Sequence, residues 1–298
     1  MSIAISDPGI VVRPLDRAIG ADIGNVNLAA LDDATFRMIE AVWLDRLVLR
    51  FRDQDLSDAD LMNFSRRFGA LDRVPTRAAG QVSTDDPRLA IAPEAREFVT
   101  VISNVKIDGK SIGNLGNYES HWHTDMSYGD VPPMASALYG IEVPPSGGDT
   151  SFANMYAAYQ GLDEETKQRI AELKCVHDAS RNSVGELRRG FEEVTDPRQT
   201  RGAVHPIVRT HPATGRKCLF LGRRRNAYVV GLPVEESEAL LERLWAEASR
   251  PEYCWTQVWS KNDLVIWDNR CAMHRRDAFD GNYDRVMHRT QICGDKPY

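Results

Sequence analysis

The chain has 298 residues, 42% hydrophobic and 27% charged, which is the make-up of a globular protein with a substantial core and not of a disordered or fibrous one. Its 37 basic against 43 acidic side chains give a formal net charge of −6, so there is no general basis for nucleic-acid binding. The five cysteines, Cys175, Cys218, Cys254, Cys271 and Cys293, are scattered and form no Cys-x-x-Cys pair, which argues against a disulfide framework or a zinc knuckle. The N-terminus has no basic-then-apolar leader, and no apolar run is long enough to cross a bilayer. The expectation is a cytoplasmic protein without membrane or nucleic-acid partners, organised as a single domain over 1–298.

In chain order, residues 10–13 read as a first strand, 20–24 as turn-like and 26–28 as apolar again. Asp32 or Asp33 can cap a helix to about Asp45, with Phe36, Ile39, Val42 and Trp43 at helical spacing. Residues 46–52 alternate like a buried strand, with Leu47, Leu49 and Phe51 on one face. Ser57 with Asp60 resembles a capping box opening a second helix, which Gly69 can end. Residues 72–97 carry no period and predict a long loop of the lid or binding kind. A strand at 99–102 and a Gly/Asn-rich passage at 108–117 lead to His121-Trp-His-Thr-Asp125.

Beyond it the pattern predicts strands at 135–143 and 149–152, and a helix at 163–173 with acidic residues in its first turn, where the helix dipole favours them. A strand follows at 175–177, then a second aperiodic lid candidate at 179–203. Strands at 203–209 and 217–221 flank a Pro/Gly turn, and an amphipathic helix covers 234–249. Residues 255–259 and 264–267 read as a hairpin around Ser260–Asp263, and 286–293 as a last strand. Many short strands with a few outer helices suggest a mainly β sandwich or jelly roll. There is no Gly-x-Gly-x-x-Gly to suggest a dinucleotide site.

The chemistry centres on His123 and Asp125. Residues two apart on a strand share a face, so both can reach one ion while Thr124 faces away. His274, in the run Trp267-Asp-Asn-Arg-Cys-Ala-Met-His274, is the candidate third ligand. Two histidines and a carboxylate on one face of an octahedron are the pattern of a non-haem Fe(II) oxygenase. Taken alone, the pair also fits a surface histidine beside a turn-forming aspartate, and His274 fits a hydrogen-bonded core histidine. Arg285 shares strand parity with Tyr283 and Met287. If it points inward it needs an anionic partner, which a dicarboxylate would supply through a bidentate contact. Thr150, after Gly147-Gly148-Asp149, can donate a hydroxyl to the same carboxylate.

Together, His123-Thr-Asp125, Gly147-Gly-Asp-Thr150, Trp267-Asp-Asn-Arg270 with His274, and Arg285 with Met287-His-Arg289 resemble the taurine dioxygenase and aryloxyacetate (2,4-dichlorophenoxyacetate) dioxygenase family, which depends on Fe(II) and 2-oxoglutarate. His205-Pro-Ile-Val-Arg-Thr-His-Pro212 and Asn154-Met-Tyr-Ala-Ala-Tyr159 add to the likeness, which runs from the Gly20 region to about Cys293. The resemblance implies a double-stranded β-helix (jelly roll, cupin-like). It implies iron held by His123, Asp125 and His274, and the distal carboxylate of 2-oxoglutarate held by Thr150 and Arg285. Arg289 matches the arginine that grips the substrate anion. O2 is then the co-substrate, succinate and CO2 the co-products, and a small anionic organic molecule the substrate: a sulfonate, an alkyl sulfate or an aryloxyalkanoate.

The substrate pocket departs from the taurine pattern. Val74 and Arg77 stand where a histidine and a tyrosine are expected, Glu119 stands where an asparagine would sit, and Arg223-Arg-Arg225 replaces an aromatic. Arg77, Glu119 and Arg225 are therefore the candidate substrate contacts. Relatives of this kind associate, so a homo-oligomer is expected. Two other readings remain open from the residues: a cupin-like sensor that keeps the metal without turnover, and a zinc hydrolase built on the same three ligands.

Overall fold

The computed structural model describes residues 9–15, 18–74 and 84–298, so Arg77 lies outside the described residues. Twelve strands make two principal sheets. In chain order they are β1 (Val11–Pro14), β2 (Ala21–Gly24), β3 (Val48–Phe51), β4 (Thr100–Ser103), β5 (Asn114–Leu115) and β6 (Ser120–His123). They continue with β7 (Ala135–Glu142), β8 (Thr150–Asn154), β9 (Cys254–Gln257), β10 (Leu264–Asp268), β11 (Ala272–Arg276) and β12 (Val286–Ile292). The larger sheet runs β1-β2-β3-β10-β7-β12-β4-β5 and the smaller β9-β8-β11-β6. From β6 onward the chain passes back and forth between the two facing sheets, which form the jelly roll, and buried side chains such as Phe152, Val265, Trp267 and Met287 fill the space between them.

Local chemistry explains most elements. Helix α1 (Asp33–Arg46) starts where the Asp32 side chain accepts from Thr35 N, and ends at Leu47, whose φ of 67° turns the chain into β3. Helix α2 (Asp58–Arg66) carries the full Ser57/Asp60 capping box, Asp serving in place of Glu. Its Phe64 packs edge-on against Phe51 of β3. Helix α3 (Met155–Gly161) has too little periodicity to announce itself. It forms because the Asn154 side chain accepts from Tyr156 N and Ala157 N. Helices α4 (Glu164–Ile170) and α5 (Val234–Ala248) occupy the two segments with helical patterning.

Three expectations are corrected. Residues 21–24 are a strand and not a turn: β2 pairs antiparallel with β1 and parallel with β3, burying Ala21 and Ile23. In β3 the buried residues are Val48, Leu49 and Phe51, since both faces of the strand are covered. Strands β9 and β10 do not form a hairpin. β9 pairs with β8 in the smaller sheet, and β10 lies between β3 and β7 in the larger. The Ser260–Asp263 turn exists, but it arches from one sheet to the other. Asp263 fixes it by accepting from Ser260 N and Gln257 Nε2 and by pairing with Arg52.

Of the 72–97 segment, the described part is anchored through buried Leu89, Ile91 and Ala95. His288 of β12 ties it down, one ring nitrogen facing Asp58 Oδ1 at 2.7 Å and the other the Arg88 carbonyl oxygen at 3.1 Å.

Candidate active site

His123 ends β6 and His274 lies opposite it on β11, directly paired in register. Asp125 is not on the strand, as the simple alternation required. The strand stops at His123, and a turn with Met126 at φ 46° swings the carboxylate back toward the two imidazoles. Thr124 is buried too, its N–H donating to the Gly222 carbonyl. Asp125 Oδ1 sits 3.7 Å from His123 Nε2 and 3.9 Å from His274 Nε2. One ligand atom from each of the three lies within 4.8 Å of the others.

Proton placement suits a cation. His123 Nδ1 donates to the His121 carbonyl at 2.7 Å, which leaves the Nε2 lone pair free. Burial lowers the His123 pKa, and burial with neighbouring His123 pushes His274 down to about 3, so both rings are neutral. Burial alone would raise the Asp125 carboxyl, but the Arg289 guanidinium leads the effects that outweigh it and hold the group well below the usual carboxylate range. The donor set therefore fits an octahedral divalent metal with open positions.

A hydrogen-bond relay that sequence reasoning missed aims the carboxylate. Trp267 Nε1 donates to Asn269 Oδ1 (2.8 Å), Asn269 Nδ2 to Ser136 Oγ (3.1 Å), and Ser136 Oγ to Asp125 Oδ2 (2.7 Å). Ser136 Oγ thus occupies one carboxylate oxygen and leaves Oδ1 for the imidazole side.

The three residues line a cavity of about 950 Å³, together with Thr150, Arg276, Arg285, Arg289 and residues of the 179–191 segment. Arg285 precedes β12. It is 2% exposed while Tyr283 is 49% exposed, so the two do not share the expected parity. Its Nε and Nη2 have no hydrogen-bond partner among the described residues, and burial and Arg276 push its guanidinium down to about 9. An unpaired guanidinium at that depth calls for an anion. Gly148 makes room for it: a Cβ there would meet Arg285 Cδ and Nε at 3.1 Å, at a φ of +69°. Thr150 Oγ1 accepts from Trp259 Nε1 at 2.9 Å, which leaves its own hydroxyl proton to donate into the cavity. Arg289 Nη1 lies 3.5 Å from Asp125 Oδ1.

Glu119 and Arg225 do not line this cavity. Both line a neighbouring one of about 680 Å³, where Glu119 lies 3.5 Å from Arg275. The arginine of the 223–225 run that reaches the central cavity is Arg223, partly buried and in contact with no carboxylate among the described residues. Arg188, from the second lid candidate, lies over the Tyr128 ring at 3.9 Å, and Arg223 lies over the same ring at 5.7 Å.

Comparison with known proteins agrees with this geometry. The chain is 35% identical over 295 residues to an (S)-phenoxypropionate/alpha-ketoglutarate-dioxygenase of Sphingobium herbicidovorans, covering 97% of this chain and 96% of that one. It is 34% identical to an alpha-ketoglutarate-dependent 2,4-dichlorophenoxyacetate dioxygenase of Cupriavidus pinatubonensis, covering 96% and 98%. Among solved structures, AAD-2 in complex with Mn(II) and N-oxalylglycine superposes with a TM-score of 0.73 at 30% identity, covering 97% and 98%. Residues 12–291 match the family described as taurine catabolism dioxygenase TauD, TfdA, and the chain belongs to that family of dioxygenases.

Proposed function

We propose that the protein is an Fe(II)- and 2-oxoglutarate-dependent dioxygenase. Its substrate would be a small organic anion of the aryloxyalkanoate, sulfonate or alkyl sulfate class, hydroxylated at a C–H. The observation that carries the reading is one cavity with His123, Asp125 and His274 on one wall and the unpaired Arg285 guanidinium on another. The first three are a facial metal set. The last is a buried anion site in the same cavity, suited to the far carboxylate of a dicarboxylate whose other end would chelate that metal. The names of the relatives support the co-substrate and the aryloxyalkanoate arm of the substrate class.

In this reading the neutral imidazoles of His123 and His274 and the ionised Asp125 hold Fe(II), and the Ser136 hydroxyl keeps Asp125 in place. Arg285 receives the distal carboxylate of 2-oxoglutarate, with the Thr150 hydroxyl donating to it. When bound, the iron and 2-oxoglutarate supply the activation of O2, which yields succinate, CO2 and one oxygen atom for a substrate C–H. Arg289 offers the cationic contact for the substrate anion, which fixes the C–H to be attacked. The 179–191 segment walls off water. Hydroxylation at a carbon bearing a heteroatom leaving group would make an adduct that collapses, releasing a phenol, sulfite or sulfate.

The test is succinate formation from 2-oxoglutarate by the Fe(II)-loaded protein under air. Phenoxyacetates, phenoxypropionates, alkylsulfonates and alkyl sulfates are added in turn. At least one is expected to stimulate it, and Arg285→Gln should weaken 2-oxoglutarate binding by roughly a hundredfold, because a buried charged contact is lost. No stimulation by any of them overturns the substrate class. Undiminished binding in Arg285→Gln overturns the co-substrate site. Turnover with Zn2+ and without O2 would favour a hydrolase.

A further inference from the structure

The smaller sheet has a second, chemically distinct face. Between β6 and β11 the register pairs His274 with His123 but Arg276 with Ser120, so β6 spends three steps where β11 spends two. This bulge turns both Ser120 and His123 toward the central cavity and leaves His121 and Trp122 on the outside. There, with Arg275 5.6 Å from the Trp122 ring, they open onto the 680 Å³ cavity. Trp245 of α5 forms part of another wall, its indole N–H without a partner among the described residues.

The charge of this cavity runs against that of the chain. Five arginines (181, 223, 224, 225 and 275) face two acids, Glu119 and Asp178, in a protein whose net charge is −6. Arg181 pairs with Glu193, Arg224 with Glu238, and Arg275 with Asp277. Arg223 and Arg225 contact no carboxylate among the described residues. We propose that this second cavity binds an organic anion with a flat apolar body, separately from the catalytic cavity. The indole faces take the body, and the uncompensated guanidiniums of Arg223 and Arg225 take the charge. Asn182, Ser183 and Arg223 line both cavities, and the His121 N–H donates to the Ser183 carbonyl at 2.9 Å. An occupant therefore bears directly on the wall of the catalytic cavity. The proposal stands apart from the iron reading, since no metal ligand takes part in it.

Calorimetric titration of the full-length, Fe(II)-loaded protein under anaerobic conditions tests it, with phenoxyacetate as the anionic probe and phenoxyethanol as its uncharged counterpart. Two binding events are expected with phenoxyacetate. Arg225→Glu, a change at an exposed side chain with no ion pair to break, should weaken one of them by about tenfold or more and leave the other, the loss expected for a charge-assisted contact. Phenoxyethanol should lack the Arg225-sensitive event. Arg289→Gln reports on the catalytic cavity: one event that responds to Arg225→Glu but not to Arg289→Gln supports this site and counts against the anionic-substrate reading. Superimposable isotherms for wild type and Arg225→Glu, with one event or with two, overturn the proposal.

Discussion

Among the described residues, two buried clusters bring a histidine, an aspartate and a third donor within 4.8 Å: His123/Asp125/His274, and His211/Asp268/Cys271. Only the first is open to a metal, and the difference lies in where the protons are. His211 Nδ1 accepts from the backbone N–H groups of Ala213 and Thr214 at 3.3 and 3.2 Å, so its proton is on Nε2, which donates to Asp268 Oδ2 at 3.0 Å. Asp268 is also gripped by Arg270 through both carboxylate oxygens, and burial pushes the Cys271 thiol well above its ordinary pKa. Every lone pair a cation would need there is spent, whereas His123 and His274 keep theirs and face a cavity. Composition and proximity do not separate the two clusters; tautomer and access do.

The sharpest way to break the comparison is to remove one aspartate from each cluster. Asp125→Ala should abolish stoichiometric Fe(II) or Co(II) binding, measured by metal analysis after desalting, and leave the fold intact by circular dichroism. Asp268→Ala should do the reverse. It strands the Arg270 guanidinium and an imidazole N–H in the core, for a loss of about 3–5 kcal/mol in urea unfolding with metal binding retained in the folded fraction. If Asp268→Ala lost metal at unchanged stability, the assignment of the two clusters would be inverted.

The relay behind Asp125 predicts a smaller effect. Ser136→Ala frees Oδ2 and lets the carboxylate rotate, so metal affinity should fall by about ten- to a hundredfold, the usual cost of losing a partner of a metal ligand. Asn269→Ala should act in the same direction but more weakly, since it reaches Asp125 only through Ser136. A competition titration with a chelator measures both. Equal affinity in Ser136→Ala and wild type would show that the turn at Met126 alone orients the carboxylate.

How much of this was legible beforehand depends on the range of the interaction. The convergence of His123, Asp125 and His274 was readable because their motifs are short and ordered along the chain. The principal sheets were readable because their strands are short, apolar and bounded by turn residues. The Ser136–Asn269 relay was not, because it joins residues 133 apart, one on β7 and the other in the turn after β10, and a serine in an apolar strand carries no signal of its partner. The roles within Arg223-Arg-Arg225 were also hidden. A charge run in a loop has no period to say which side chain turns inward, and the sequence favoured Arg225 where the structure puts Arg223 into the cavity. The expected hairpin of 255–259 with 264–267 failed for a related reason: a tight turn looks the same in sequence whether it returns a strand to its own sheet or carries it to the opposite one.

The smallest effect concerns acid. In the metal-free protein burial depresses His123, His177, His205 and His274, His274 falling from 6.5 to about 3. A histidine whose folded pKa lies below its unfolded one binds a proton first in the unfolded chain. Stability is therefore unaffected above about pH 6.5 and falls as pH drops toward the folded value, by at most about 1.4 kcal/mol per pH unit for each such residue. Urea unfolding of the metal-free protein between pH 7.5 and 5 should show that decline, and His274→Gln should reduce its slope by one residue's share. His177→Gln separates the causes: it should flatten the slope comparably while leaving metal binding intact, because His177 packs against His205 and Phe220 and does not line the catalytic cavity. A flat profile in the metal-free wild type would mean that these imidazoles take up protons within the fold, and the neutral-ligand argument for the open cluster would fail with it.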